Sequence, residues 1–202
     1  MKNIYHSDIY KFDTTVNSYW EDHSQENLDL EKLTKDINSE IIVIGGGYTG
    51  LLCAINLIEN YGLDVILVEA GKIGWGASSR NAGFNCLPPS KMSFKKMQSI
   101  YGKEETKKFF KDSVEGSNYT KDIIKEYNID CDVTGDNNFV VTHHKNKFEQ
   151  IKEQAEIYKS EFDIETKIYS KEEFNEIGHG GTEQFGAFSY KPGFAINPLK
   201  FV

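Results

Sequence analysis

The hydrophobic positions along this chain fall into blocks of different period. Residues 1 to about 38 are polar with little periodicity, apart from the aromatic pair Tyr19-Trp20. A continuous apolar run, Ile41–Ile44, leads straight into glycines, and Leu51–Ile58 follows at helical spacing. A second apolar run, Asp64-Val-Ile-Leu-Val-Glu69, ends in an acid. This order predicts strand, tight turn, helix and second strand, the beginning of a βαβ unit.

The pattern then changes. The loop Asn85-Cys-Leu-Pro-Pro89 breaks it. Two helices are predicted beyond the break, over about 92–101 and 104–127. In the second, Phe110, Val114, Ile124 and Tyr127 keep approximate helical spacing, and Gly116 weakens the middle by about 1 kcal/mol relative to alanine. Gly135-Asp-Asn-Asn138, between Cys131–Thr134 and Phe139–Thr142, predicts a hairpin. Residues 145–160 predict an amphipathic helix with Phe148, Ile151, Ala155 and Tyr158 on one face. Strands near 165–169 and 185–190 are expected to join the same sheet. Phe185, Phe188, Tyr190 and Phe194 could line a cavity, but core packing is the commoner fate of such residues. The chain shows no internal repeat and no low-complexity tract.

The glycine turn carries the first chemistry. Gly45-x-Gly47-x-x-Gly50 has the spacing of a dinucleotide-binding turn. The first glycine allows a sharp exit from the strand, the second admits a pyrophosphate, and the third lets the helix pack closely. The helix start adds unpaired N–H groups and roughly half a positive charge, which together favour an anion. Glu69 lies 19 positions after Gly50, close to the usual spacing of about 20 for an acid that binds a ribose. Such an acid repels a 2′-phosphate, so a nicotinamide ligand would be NAD rather than NADP. A glycine-rich turn can also close on no ligand; the register of all five features favours the ligand.

A second glycine-rich segment, Ala70 to Phe84, follows the acid and contains Gly74-Trp-Gly-Ala-Ser-Ser-Arg-Asn-Ala-Gly83. Here the chain resembles the D-amino-acid-oxidase-type FAD-dependent oxidoreductases, in particular the γ-glutamylputrescine oxidoreductase branch. That branch carries G-W-G-A-S-x-R-N-x-G just after its acidic strand end. Where its members usually have a glycine pair after the asparagine, this chain has Ala82-Gly83. Ser18-Tyr-Trp-Glu21 and Gly193-Phe-Ala-Ile-Asn-Pro-Leu199 also match segments of that branch. Asn197 suits an N-cap and Pro198 a first helical position.

The resemblance implies an α/β fold. A Rossmann-like FAD-binding βαβ unit would be followed by the start of an α+β substrate domain, an incomplete fold. The expected boundaries are 1–38 for a lead segment, 39–90 for the FAD-binding part, 91–192 for helices and the substrate-domain sheet, and 193–202 for the return to the FAD domain. Gly45, Gly46, Gly47, Tyr48, Thr49 and Gly50 would meet the pyrophosphate, and Glu69 with Ala70 the adenosine ribose. Ser78, Ser79 and Arg80 would supply donors near the diphosphate and flavin, and Asn81, Ala82 and Gly83 would line the ring. The bland alternative for Arg80 is a surface salt bridge. Trp75 is expected to pack rather than react.

The activity so implied is oxidation of an amine or amino acid by hydride transfer to flavin N5, with oxygen or another acceptor taking the electrons and no catalytic base nominated. Family members are longer, so the expected chain is an N-terminal portion: a truncated product, an incomplete record, or half of a split enzyme with a complementary C-terminal chain as partner. A non-catalytic fragment and an NAD-dependent dehydrogenase are the alternatives.

Charge and cysteines narrow the picture. The net charge of −8 argues against nucleic acid and anionic membrane as partners. Lysines are interleaved with acids, as in Lys103–Lys108, which reads as a solvated face. Cys53, Cys86 and Cys131 have no metal spacing and fit a reducing compartment. Cys53 is expected in the core, and Cys86 lies near the second glycine segment. His143-His144 has no carboxylate or cysteine at metal spacing, so no metal is expected and both are read as structural or exposed. No apolar leader and no membrane-length apolar stretch is visible, and the expected location is cytoplasmic.

Overall fold

A computed structural model describes residues 4–14, 17–24, 28–87, 92–178 and 180–202. Pro88 and Pro89 of the predicted loop, and residues 1–3, 15–16 and 25–27 of the polar lead, lie outside the described residues. The chain divides into two units. The first comprises residues 1–83, 130–132 and 197–202; the second comprises 84–129 and 133–196.

In the first unit the apolar runs become strands. β1 (Ile41–Ile44) and β2 (Val65–Val68) pair in parallel, with Ile41 opposite Val65 and Ile44 opposite Val68. The helix between them, α2 (Tyr48–Tyr61), ends at Gly62, whose φ of 64° gives the left-handed C-cap. Its contact face is set by Gly50 and Ala54, four residues apart. A Cβ on Gly50 would stand 1.9 Å from the Gly45 carbonyl oxygen and 3.5 Å from Val43 Cγ1, and Ala54 is buried. Cys53 sits one step round the helix and is exposed, against the expectation that it joins the core. A short helix in the lead, α1 (Tyr19–His23), is capped by the Ser18 side chain.

The second unit is built on helices and an antiparallel sheet. β3 (Phe84–Asn85) pairs with β7 (Phe194–Ala195). The predicted helices appear as α3 (Phe94–Tyr101), α4 (Lys103–Glu126) and α5 (Phe148–Phe162). β4 (Asn138–Val141) and β5 (Thr166–Tyr169) flank β6 (Ala187–Tyr190) in a three-stranded antiparallel sheet. Phe110, Ile151, Ala155, Tyr158, Phe188 and Tyr190 form its core. Phe188 and Tyr190 thus pack, as the commoner fate foresaw. On α4 the buried positions include Phe110 and Ile123, whereas Tyr127, expected on that face, is exposed.

The predicted hairpin does not form. Gly135 does turn the chain, with φ 76°. Asp132 at φ 54° redirects the segment before it, and Thr134 bridges Ala195 instead of the 139–142 run. β4 takes its ladder from β6. Neither α1 in the lead nor a later helix, α6 (Lys171–Ile177), was predicted. The signal for α6 is present in Ser170-x-x-Glu173, a reciprocal capping box.

The chain closes on α7 (Pro198–Phe201), where the Asn197 side chain accepts from the N–H groups of Leu199 and Lys200. Asn197 also donates to Ser24 Oγ at 3.1 Å. Lys200 Nζ reaches Asp132 at 2.9 Å, and that ammonium holds the Asp132 carboxyl below its ordinary range.

Candidate functional site

The turn between β1 and α2 is where the sequence placed the chemistry. Gly45 has φ 111°, a conformation side chains rarely adopt, and its N–H still completes the strand ladder to the Val68 carbonyl at 2.8 Å. The next two features converge. The Gly46 N–H donates to Glu69 Oε2 at 2.6 Å, and the Gly71 N–H donates to Oε1 at 2.9 Å. One carboxylate therefore ties the first glycine turn to the start of the second glycine-rich segment. Each oxygen keeps acceptor capacity, since an ionised carboxylate offers about four lone-pair sites.

The second segment is anchored on the first. Gly74 N–H donates to the Gly46 carbonyl at 2.8 Å. Ser79 Oγ–H donates to the Gly74 carbonyl at 2.5 Å from a buried position, so this hydroxyl is committed to the loop. Ser78 differs: its Oγ accepts the Tyr48 N–H at 3.1 Å, at the start of α2, and its own proton stays available. A Cβ on Gly47 would stand 2.7 Å from that Oγ. The bare position thus admits the serine hydroxyl to the helix start, where the sequence reading had reserved it for a ligand alone. Among the described residues the N–H groups of Gly47 and Thr49 have no hydrogen-bond partner.

Arg80 makes no ion pair among the described residues, which sets aside the salt-bridge reading. Its guanidinium lies 4.5 Å from the centre of the Trp75 ring. Its Nε is buried and without a partner. Buried N–H groups are rarely left so, and an unpaired cationic donor suits an anion.

Asn81 is used locally. Its amide donates to the Ser78 carbonyl at 2.9 Å and the Ala77 carbonyl at 3.3 Å, and its oxygen accepts the Gly83 N–H at 2.8 Å. The same amide lies 3.4 Å from Tyr48 Oη, which in turn donates to the Pro198 carbonyl at 3.2 Å. Burial raises the Tyr48 pKa above its ordinary value, with the Asn81 contact opposing. Ala70 and Ala82 are exposed. Gly50 serves helix packing, as described above.

Two tryptophans connect the polar lead to this site, which the sequence did not reveal beyond the Tyr19-Trp20 anchor. Trp20 Nε1–H donates to the Asn81 carbonyl at 2.8 Å, and Trp75 Nε1–H to the Thr14 carbonyl at 3.1 Å. Phe12 meets the Trp75 ring edge-on at 5.2 Å. A cleft of about 360 Å³ opens beside Gly47, Glu69, Trp75, Gly76 and Ser78. That is the lower end of the roughly 300–1,000 Å³ of ligand pockets. His143 and His144 are exposed, and no cluster of potential metal ligands exists among the described residues. Cys86 is exposed. Among the described residues no helix is long and apolar enough to cross a membrane.

Comparison with known proteins gives this geometry a context. Residues 40–202 match the family described as FAD dependent oxidoreductase. A γ-glutamylputrescine oxidoreductase of Escherichia coli K12 is 33% identical over 145 residues, covering 71% of this chain and 34% of that protein. The chain therefore spans about a third of that relative's length. Among solved structures, an L-amino acid deaminase from Proteus vulgaris superposes with a TM-score of 0.64 at 20% identity, over 85% of this chain and 37% of that one. An L-α-glycerophosphate oxidase from Mycoplasma pneumoniae, solved with FAD bound, gives 0.57 at 20% identity, over 81% and 40%.

Proposed function

This chain belongs to the family of FAD-dependent oxidoreductases, and from that premise we propose that its glycine turn, Glu69 and second glycine-rich loop hold the adenosine-diphosphate half of FAD in an enzyme that oxidises the carbon–nitrogen bond of an amine or amino acid. The names of two relatives, a γ-glutamylputrescine oxidoreductase and an L-amino acid deaminase, point to nitrogen-bearing substrates. The observation that carries the reading is the Glu69 carboxylate, fixed by the Gly46 and Gly71 N–H groups beside the same cleft as Gly47 and Ser78.

The residues fit the cofactor. The free N–H groups of Gly47 and Thr49 and the Ser78 proton would hold the pyrophosphate, with the Arg80 guanidinium supplying positive charge from its place over Trp75. Remaining lone pairs of Glu69 would accept the ribose hydroxyls. Asn81, Ala82 and Gly83 would keep the loop beyond Arg80 in shape, with Asn81 acting through its own backbone contacts. When bound, FAD supplies a two-electron acceptor for the hydride on the substrate carbon that bears nitrogen. The protein's share is position and exclusion of water. No side chain of this chain is assigned as a base, and oxygen or another acceptor would take the electrons onward.

Magnitudes set the affinity to expect. A helix N-terminus contributes at most about 2 kcal/mol toward an anion, and a charge-assisted hydrogen bond roughly 1.5–3 kcal/mol. Together, at about 3.5–5 kcal/mol, those terms correspond to a dissociation constant of roughly 0.2–3 mM, against the roughly 12 kcal/mol of nanomolar binding. Titration with FAD, followed through Trp75 fluorescence, should give saturable quenching in that range. Glu69→Ala should weaken it by about 10- to 100-fold, and NADH should not compete. Saturable NADH binding, or FAD binding indifferent to Glu69, would overturn the assignment.

A further inference from the structure

The polar lead returns to the cleft with apolar side chains. Tyr5, Ile9, Tyr10 and Phe12 line it together with Gly47 and Glu69. Residues Ser7–Tyr10 form a 3-10 turn, fixed by the Asp8 N–H donating to His6 Nδ1 at 3.3 Å and by a Lys11–Asp8 ion pair at 2.8 Å. Phe12 is occupied by Trp75. The other three are not: Tyr5 is 65% exposed, Ile9 48% and Tyr10 43%. Among the described residues neither tyrosine has a hydrogen-bond or ring partner. The two unpartnered aromatic rings line the same cleft as the Glu69 carboxylate and Gly47 of the turn, and an occupant that is planar and apolar on its faces would cover them.

The chemistry of the cleft narrows that occupant. The turn and Ser78 suit phosphates, and Glu69 suits sugar hydroxyls. What is left of an adenosine diphosphate is its base, and the lead supplies the cleft's unoccupied aromatic walls. We propose that the Tyr5–Tyr10 segment is the adenine-recognition element of this site, stacking the base between or against the two tyrosine rings. This rests on the cofactor reading above and adds a binding role for residues ahead of the first strand.

The test uses the full 202-residue chain and two probes, ADP and inorganic pyrophosphate, titrated by calorimetry. Both tyrosines are exposed enough that their replacement does not disturb a core. The double variant Tyr5→Ala/Tyr10→Ala should bind ADP about tenfold more weakly, within the range of base–aromatic stacking. Its pyrophosphate affinity should be unchanged. Tyr5→Phe/Tyr10→Phe should bind ADP like the parent, because the rings and not the hydroxyls act. Unchanged ADP binding in the alanine variant, with Glu69→Ala still weakening it, overturns the inference and leaves the cofactor site standing. Tighter ADP binding overturns it by marking the lead as an obstruction. Equal losses for ADP and pyrophosphate overturn it as a folding effect. Indifference of ADP binding to Glu69→Ala overturns both readings.

Discussion

The two units of this chain are held by different forces. In the unit of residues 84–129 and 133–196, large side chains disappear from solvent: Phe110, Tyr158 and Phe188 are 1% exposed or less. Phe110 stacks on Phe162 at 4.4 Å and meets Phe94, Phe109 and Tyr158 edge-on. In the unit that carries the glycine turn, the buried apolar side chains among the described residues are Ala54, Cys131 and Pro198, all small. Ile42 and Ile44 of β1 are 56% and 85% exposed, although strands in parallel sheets are usually covered on both faces. That unit is knitted by hydrogen bonds around Glu69, Gly74, Asn81 and Asn197 instead. The difference teaches where each unit's stability comes from. One rests on burial; the other rests on a polar network that a ligand could complete, and ligand at a hundredfold excess over its dissociation constant adds about 2.7 kcal/mol.

The sharpest way to break this comparison is Phe110→Ala. Truncating a buried phenylalanine costs about 3–5 kcal/mol. Hydrogen exchange should accelerate across α4, α5 and β4–β6 and stay unchanged in β1 and α2. A uniform increase over both units would show that they unfold as one.

Alkali attacks the same unit by a different route. Burial pushes the Tyr158 hydroxyl up to about 12 and raises that of Tyr190 further. A pKa raised in the folded state means stability fully present below the ordinary tyrosine value of 10.0 and lost as pH climbs toward 12. Raising the hydroxyl that far corresponds to about 2–3 kcal/mol. Near-ultraviolet dichroism of the aromatic core should collapse over that interval, together with late tyrosinate absorbance. Tyr158→Phe should reduce the loss. Titration of all tyrosines near their ordinary value, with the core signal intact, would contradict the burial.

The glycine-turn unit should answer to ligand. ADP or FAD should slow exchange at Gly46, Gly47, Gly71 and the start of α2, leaving α4 and α5 unaffected. Glu69→Ala should remove most of that protection, consistent with a charge-assisted contact of roughly 1.5–3 kcal/mol. Protection confined to the other unit would place the ligand elsewhere.

How legible the molecule was in its sequence also divides between the units. Strand, turn, helix, strand and acid could be read because the hydrophobic period changes at glycines, and each change is local. The α5 face was readable for the same reason, from Phe148, Ile151, Ala155 and Tyr158. The failures in strand pairing and in facing were non-local. The signal at Gly135 is a real turn, yet β4 pairs with β6 and Thr134 with Ala195, choices made by distant chain. Cys53 looked like core because its helix is apolar on several sides; Gly50 and Ala54 decide which side faces the sheet. In the candidate site the motif named Glu69, Ser78 and Arg80. It could not say that Ser78 accepts the Tyr48 N–H or that Tyr5 and Tyr10 return to the cleft, because these depend on tertiary contact; the Asn81 contacts with its own loop are local and went unread. The capping box at Ser170 was legible and went unread.

The smallest effect tests whether the polar network itself is structural. Asn197 is 3% exposed, caps α7 through two backbone N–H groups, and donates to Ser24. Asn197→Ala removes the cap, which costs about 1 kcal/mol. Its effect should be read only in the glycine-turn unit, as faster exchange at Leu199 and Lys200 and in the segment around Asp132, whose carboxylate pairs with Lys200. Acid should mimic part of it. The Asp132 pKa is lowered chiefly by its hydrogen bond to Lys200, so that contribution is present above the ordinary aspartate range and fades as pH falls through the depressed value. Asn197→Asp keeps an acceptor for the cap and should recover most of the protection. If the alanine variant exchanges like the parent, the Asn197 contacts are decoration, and the glycine-turn unit must draw its stability from the hydrogen bonds around Glu69, Gly74 and Asn81, the β1–β2 pairing and the packing of α2.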